Sequence, residues 1–210
     1  MSSEVNSEPC LSLRELMLMM ISRVEEIADA VEQEQVECFL AEIMQAERVF
    51  VVGAGRSGFV AKAFAMRLMH LGFISYVVGE TVTPAFHPND TLVAFSGSGK
   101  TKSVMEACET TRSIKGHICL ITGSRDSPVA KLADCVVWLT TDEESIHIGS
   151  DHFDLRQLQG EHRSISSACT PLGTLFETSA MIFADSVISA LIERKHCSID
   201  EIIHRYTNMQ

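Results

Sequence analysis

An α/β fold, with a five-stranded parallel sheet flanked by helices on both faces in a three-layer sandwich, is what this sequence predicts. Three observations predict it. Five short apolar runs, at 48–52, 75–78, 92–95, 117–122 and 135–139, show little in-out alternation. That is the pattern of parallel strands covered on both sides. Segments of helical period stand between runs, giving a βαβαβαβαβ rhythm. Two of the runs end in turns rich in glycine and serine. A chain of 210 residues with 46% hydrophobic content is long enough for one such domain and its core.

The elements follow in order. Residues 1–10 read as a loose tail. Residues 11–31 read as a helix, since Leu13, Leu16, Met17, Met20, Ile21, Val24 and Ile27 recur at spacings of three and four. A second helix, 33–46, carries Val36, Phe39, Leu40 and Ile43 on one face and acids on the other. Two helices before the first strand suggest an arm. The expected division is therefore an oligomer arm over 1–32 and a main domain over 33–210. The methionines at 17, 19 and 20 suit a core or an oligomer seam better than a cofactor site.

After the first strand comes Gly53-Ala54-Gly55-Arg56-Ser57-Gly58, then a helix over 57–71 ending near His70. By default such a histidine caps or packs the helix end. The loop 81–90, with Pro84 and Pro88, leaves the second strand at its C-terminal end, where open α/β sheets bind ligands. Glu80, Thr81 and Thr83 are thus candidate site residues, although turn chemistry also explains them. The third strand leads into Ser96-Gly97-Ser98-Gly99-Lys100-Thr101 and a helix to about 115. A short helix is expected over 127–132, with Pro128 at its start. Residues 141–169 break the rhythm: polar, serine-rich and bearing His147, His152 and His162. We read this as a solvated insertion rather than a metal site. A long helix over 172–194 carries Glu177 in its first turns, and a short one over 199–206 closes the chain.

The two glycine turns carry the chemistry. A strand-to-helix turn aims backbone N–H groups and the positive helix end at one point. In the second turn, Gly97 and Gly99 allow close approach of the main chain. Ser96, Ser98 and Thr101 add hydroxyls. Residues 96–101, including the Lys100 backbone, therefore read as an anion cradle suited to a phosphate. A nucleotide P-loop is weaker, because its first glycine falls on Ala94. A ligand-free turn of small residues is the plain alternative. The first turn matches G-x-G-x-x-G and raises a dinucleotide rival, with Glu80 as its acid. Against it, Arg56 occupies the tight turn, and the second cradle is left unexplained. Glu177 reads either as a favourable charge at a helix N-terminus or as a carboxylate base held against a substrate.

Net charge of −11 argues against a nucleic-acid partner. No apolar run approaches the roughly 20 residues of a membrane span, and Met1-Ser2-Ser3-Glu4 lacks signal-peptide character. Seven cysteines without C-x-x-C spacing suit reduced thiols and a cytoplasmic setting.

Five segments together carry a resemblance. They are Gly53-Ala54-Gly55-Arg56-Ser57-Gly58, residues 64–73 (Phe-Ala-Met-Arg-Leu-Met-His-Leu-Gly-Phe), residues 78–84, the 96–101 cradle, and residues 171–177 (Pro-Leu-Gly-Thr-Leu-Phe-Glu). They lie in order and cover most of 40–205. The chain resembles the sugar isomerase (SIS) domain family and, within it, the 6-phospho-3-hexuloisomerases. Arabinose 5-phosphate isomerases share the first motif but usually carry a His-Pro-Ala-Glu-Ala loop, which this chain lacks. Two departures stand out: the 141–168 segment is longer, and Tyr206 stands where compared members carry histidine.

The resemblance implies the SIS fold and interconversion of D-arabino-hex-3-ulose 6-phosphate with D-fructose 6-phosphate through an enediol. The setting would be the ribulose monophosphate pathway of formaldehyde fixation, or pentose phosphate supply. It implies that Ser96, Gly97, Ser98, Gly99, Lys100 and Thr101 hold the phosphate. Gly55, Arg56 and Ser57, with Glu80 and Thr81, would contact the sugar. Glu177 would be the base and His70 an acid/base. No metal or redox cofactor is required. It also implies a homotetramer with sites near subunit interfaces, where His70 acts on a neighbour's substrate. The alternatives are another phosphosugar isomerase or a non-catalytic sugar-phosphate-binding module.

Overall fold

The computed structural model describes residues 12–141 and 174–206. The expected tail and the histidine-bearing insertion beyond Thr141 lie outside them. Five strands form one sheet: β1 (Val49–Gly53), β2 (Ser75–Val77), β3 (Thr91–Phe95), β4 (His117–Thr122) and β5 (Cys135–Trp138). Their order is β2-β1-β3-β4-β5, and every pair is parallel. Among the described residues the helices are α1 (Leu13–Ala30), α2 (Gln33–Gln45), α3 (Gly55–His70), α4 (Lys102–Ile114), α5 (Thr174–Lys195) and α6 (Ile199–His204).

The period of two along each strand divides the core. Val49, Val51, Val93, Phe95, Cys119, Ile121, Cys135 and Val137 face one side, where α2, α3 and α5 cover them. Phe39 of α2 meets Phe64 of α3 and Phe183 of α5 there. Phe50, Val52, Leu92, Ala94, Ile118 and Leu120 face the other side. Among the described residues one helix, α4, covers them, through Val104 and Cys108, helped by Phe86 and Val129 from loops. The described residues therefore form three layers, with α2, α3 and α5 on one face and α4 on the other.

Two expectations about the connections are corrected. Residues 127–132 form no helix; they run as consecutive turns. The Ser127 hydroxyl accepts from the Ala130 N–H at 3.2 Å, and the Val129 N–H donates to the Gly99 carbonyl at 3.3 Å. The Leu132 N–H closes a single turn on the Val129 carbonyl at 3.0 Å, and the bond to Gly99 ties this turn to the one after β3. The rhythm is also not strictly alternating, because β2 passes to β3 through a loop and β4 to β5 through these turns.

Helix ends are legible in the side chains. Ser12 and Glu15 form a capping box on α1, and Ser198 and Glu201 form one on α6. At the N-terminal edge of the sheet, Asp90 is fully buried. It takes two hydrogen bonds from Arg48, at 2.5 and 2.9 Å, and one from the His87 N–H. By length and composition α5 could cross a membrane, but it carries a buried stripe from Phe176 to Leu191 that packs in the core.

Candidate active site

The strand order reverses direction between β1 and β3. A crevice opens at that point beyond the C-terminal ends of the strands, where such sheets bind ligands. Gly53 pairs with Phe95 across it, so the turn after β1 and the turn after β3 lie side by side. These are the two glycine-rich stretches that the sequence marks out.

In the first turn the glycines serve packing. A Cβ on Gly53 would lie 2.7 Å from the Ser57 carbonyl oxygen, and one on Gly58 would lie 2.8 Å from that of Gly53. The strand end thus presses directly on the first turn of α3. Gly55 adopts φ +56°, a conformation glycine takes without penalty. This packing places Ser57, buried, and Arg56, largely exposed, at the crevice.

In the second turn the hydroxyls bond within the cradle. The Gly99 N–H donates to the Ser96 Oγ at 3.1 Å, and the Lys100 N–H to the Ser98 Oγ at 3.3 Å. Ser96 Oγ and Thr101 Oγ1 lie 3.2 Å apart. Neither α3 nor α4 has a side-chain cap at its N-terminus, unlike α1 and α6. Their leading N–H groups face the crevice, an arrangement that suits an anion.

The first turn of α5 closes the site. Gly97 leaves room for Phe176, whose ring carbon would stand 3.0 Å from a Cβ at that position. The next residue, Glu177, reaches across to α3. Its Oε1 lies 3.4 Å from the Ser57 Oγ, and its Oε2 lies 3.5 Å from the Arg56 Nε. The Arg56 contact is an ion pair without hydrogen-bond geometry, since Oε2 is buried and has no hydrogen-bond partner. Burial raises the Glu177 pKa above the ordinary carboxylate value. The Arg56 charge, the backbone and the Ser57 hydroxyl pull against it without cancelling it. A carboxylate with one free lone-pair face, raised in basicity and set beside a cation, suits proton abstraction from carbon.

The other sequence candidates lie outside the Ser57–Arg56–Glu177 cluster. Glu80 is exposed and pairs with Lys62 of α3 at 2.5 Å, and Thr81 is exposed. Neither has a described bond to the cradle or to Glu177. His70 ends α3, thirteen positions from Ser57, which is about 20 Å at 1.5 Å per residue. One chain therefore does not bring His70 to Glu177. His70 is buried, and its ring stacks on Tyr206 with centroids 4.2 Å apart. The Tyr206 hydroxyl is bonded to Arg67 at 3.2 Å. Burial, with the Arg67 charge adding to it, lowers the His70 pKa and favours the neutral imidazole. The buried Nδ1 of His70 has no hydrogen-bond partner. No group of three or more metal-ligating side chains is found among the described residues.

Sequence reasoning missed Thr122, Ser124 and Ser127, all buried behind the cradle. A signal was present, because Thr122 ends the strand beside β3 and so must flank the β3 turn.

Known proteins resemble this chain over most of its length. The SIS domain family model matches residues 42–161. An uncharacterized protein of Aeropyrum pernix is 42% identical over 194 residues, which is 90% of this chain and 86% of that one. The 3-hexulose-6-phosphate isomerase of Mycobacterium gastri is 36% identical over 189 residues, covering 89% of this chain and 87% of that enzyme. A crystal structure from Methanococcus jannaschii, reported as inferring a molecular function of 3-hexulose-6-phosphate isomerase, superposes with a TM-score of 0.76 at 31% identity. It covers 93% of this chain and 99% of that one. With two glycine turns side by side at the strand reversal and a family match across more than half its length, the chain belongs to the SIS domain family.

Proposed function

We propose that this protein is a 3-hexulose-6-phosphate isomerase, interconverting D-arabino-hex-3-ulose 6-phosphate and D-fructose 6-phosphate. The observation that carries the reading is Glu177: a buried carboxylate of raised basicity, between Ser57 and Arg56, next to a hydroxyl-lined cradle. Named isomerases at 30–36% identity over most of the chain support it.

In this reading the cradle holds the 6-phosphate through its hydroxyls and the N-terminus of α4. Glu177 takes the proton from C2 of the 3-ulose, and the C3 carbonyl becomes the enediolate oxygen. The Arg56 guanidinium stabilises that charge. Glu177 returns the proton to C3. A proton leaves O2 and another arrives at O3, so the carbonyl now stands at C2. His70, neutral, serves these hydroxyl protons from a neighbouring subunit. Glu80 and Thr81 guide the sugar from the rim.

A neighbour's histidine requires an oligomer, and we place the protein as a homotetramer. Exposed apolar side chains support that: Leu13, Met17, Leu18 and Ile21 on α1, and Phe59, Met66 and Met69 on α3. The 1–32 arm contributes the first of these faces. The substrate is an anion that membranes confine to the compartment that makes it. The reading therefore sets the enzyme in the cytoplasm, in formaldehyde fixation or pentose phosphate supply.

The test is turnover of the 3-ulose 6-phosphate, with fructose 6-phosphate read through coupled NADPH formation. The wild-type protein turns over. Glu177→Gln, which keeps the shape and removes the base, lowers kcat by about 10²–10⁴-fold. Full turnover by that variant would sink the assignment of the base.

A further inference from the structure

The cradle is held from behind. Gly97 is the only cradle residue whose carbonyl receives two described donors from β4 and its turn. The Gly123 N–H donates to it at 3.0 Å, and the Thr122 hydroxyl donates to it at 3.3 Å. Thr122 is fully buried and ends β4 beside the β3 turn. Its Oγ1 also accepts from the Ser124 N–H at 3.2 Å. Its donor and acceptor roles are therefore both used, and the hydroxyl has one defined orientation.

A trans peptide is planar, with its C=O and N–H pointing in opposite directions. Tying the Gly97 oxygen back toward β4 therefore turns the Ser98 N–H the other way, out over the crevice. We propose that Thr122 is a positioning residue of the anion site: it touches no ligand, and it aims the Gly97–Ser98 peptide so that the Ser98 N–H meets the phosphate. The inference rests on the sugar-phosphate reading above and adds to it a residue outside the cradle.

A second contact shows how little slack the cradle has. Gly99 sits at φ +59°, and a Cβ there would fall 2.2 Å from the Ser127 Oγ and 3.4 Å from the Thr122 Oγ1. The Val129 N–H fixes the Gly99 carbonyl. The β4–β5 turn thus backs the cradle along its length. Within that backing, Thr122 is the member that bonds the Gly97 carbonyl by a side chain and can be removed without changing the backbone.

The test compares Thr122→Val, which keeps the shape and loses the hydroxyl, with Thr122→Ser, which keeps the hydroxyl. Inorganic phosphate is the probe, read by calorimetry and by the amide NMR shift of Ser98. Expected for Thr122→Val is about a tenfold weaker phosphate Kd, a loss of most of the Ser98 shift, and a matching rise in KM with kcat within twofold. Thr122→Ser restores all three. A purely structural role would lower thermal stability and kcat without moving Kd selectively. Thr122→Ala carries the same readouts if the valine variant fails to fold. Phosphate binding by the valine variant equal to wild type overturns the role of Thr122 alone. Wild-type protein that binds neither phosphate nor sugar phosphates overturns the anion site itself, and the positioning role with it.

Discussion

Glu177 carries a cost that its own chemistry explains. Its carboxyl is more acidic in the unfolded chain than in the folded one, because burial raises the folded pKa. The folded state therefore holds more protons between the two values, and stability falls as pH rises through that window. Below the unfolded value the penalty is absent; above the folded value it is complete. Two outcomes follow. The acid limb of kcat/KM lies above the ordinary carboxylate range, as a pH–rate profile will show. In neutral buffer, Glu177→Gln raises Tm while it cuts turnover, and the gain shrinks on acidification. A flat pH dependence of the wild-type minus variant Tm would contradict this. The residue was legible in sequence because Glu177 sits in a short local motif. What surrounds it was not, since Ser57 lies 120 positions away and only the α3–α5 contact brings them together.

Elements are set by their junctions. The β1–α3 junction allows a clean comparison between two glycines of one motif. A methyl at Gly53 would meet the backbone of Ser57 and Gly58 at 2.7–2.9 Å, so strand and helix must separate. A methyl at Gly55 meets nothing within 4 Å and strains only its positive φ. Gly53→Ala should therefore lower stability by about 1–3 kcal/mol as an overpacked site. Gly55→Ala should lose roughly 1–2 kcal/mol from backbone strain. Urea unfolding reads both. The separation of the two variants shows in activity, because only Gly53→Ala displaces Ser57 and should cut turnover well beyond its effect on stability. The motif's letters match a dinucleotide turn, but its outer glycines act here as a packing joint. The 127–132 segment teaches the same lesson in reverse. Pro128 made a plausible helix start, yet Val129 gives its N–H to Gly99, a bond that no local pattern announces.

At the scale of the whole molecule, the sheet was readable because parallel strands buried on both faces leave unbroken apolar runs. The strand order was not, since 2-1-3-4-5 is a matter of which edge each crossover takes. That order places β4 beside β3, and so puts Thr122 behind a cradle 21–26 positions earlier in sequence. The exterior is also informative. An apolar cleft between α1, α2 and α5 is lined by Ile27, Leu40, Leu139 and Phe183, next to exposed Ile182. Surfaces of this kind are typical of subunit contacts.

The length of α3 has a genetic consequence. If Glu177 stands at one end of that helix and the histidine serving it comes from another copy, no single chain owns a complete site. Two dead alleles can then repair each other. Co-refolded Glu177→Gln and His70→Ala chains form hybrids in which one site inherits both wild-type residues and its twin inherits neither. With random pairing across a two-fold interface, about a quarter of the wild-type rate should return, although each variant alone keeps only a small residue of it. The rate of the mixture, measured after co-refolding and again after simple mixing of folded variants, reports how often partners exchange. A mixture as dead as its parts would mean that each chain works alone.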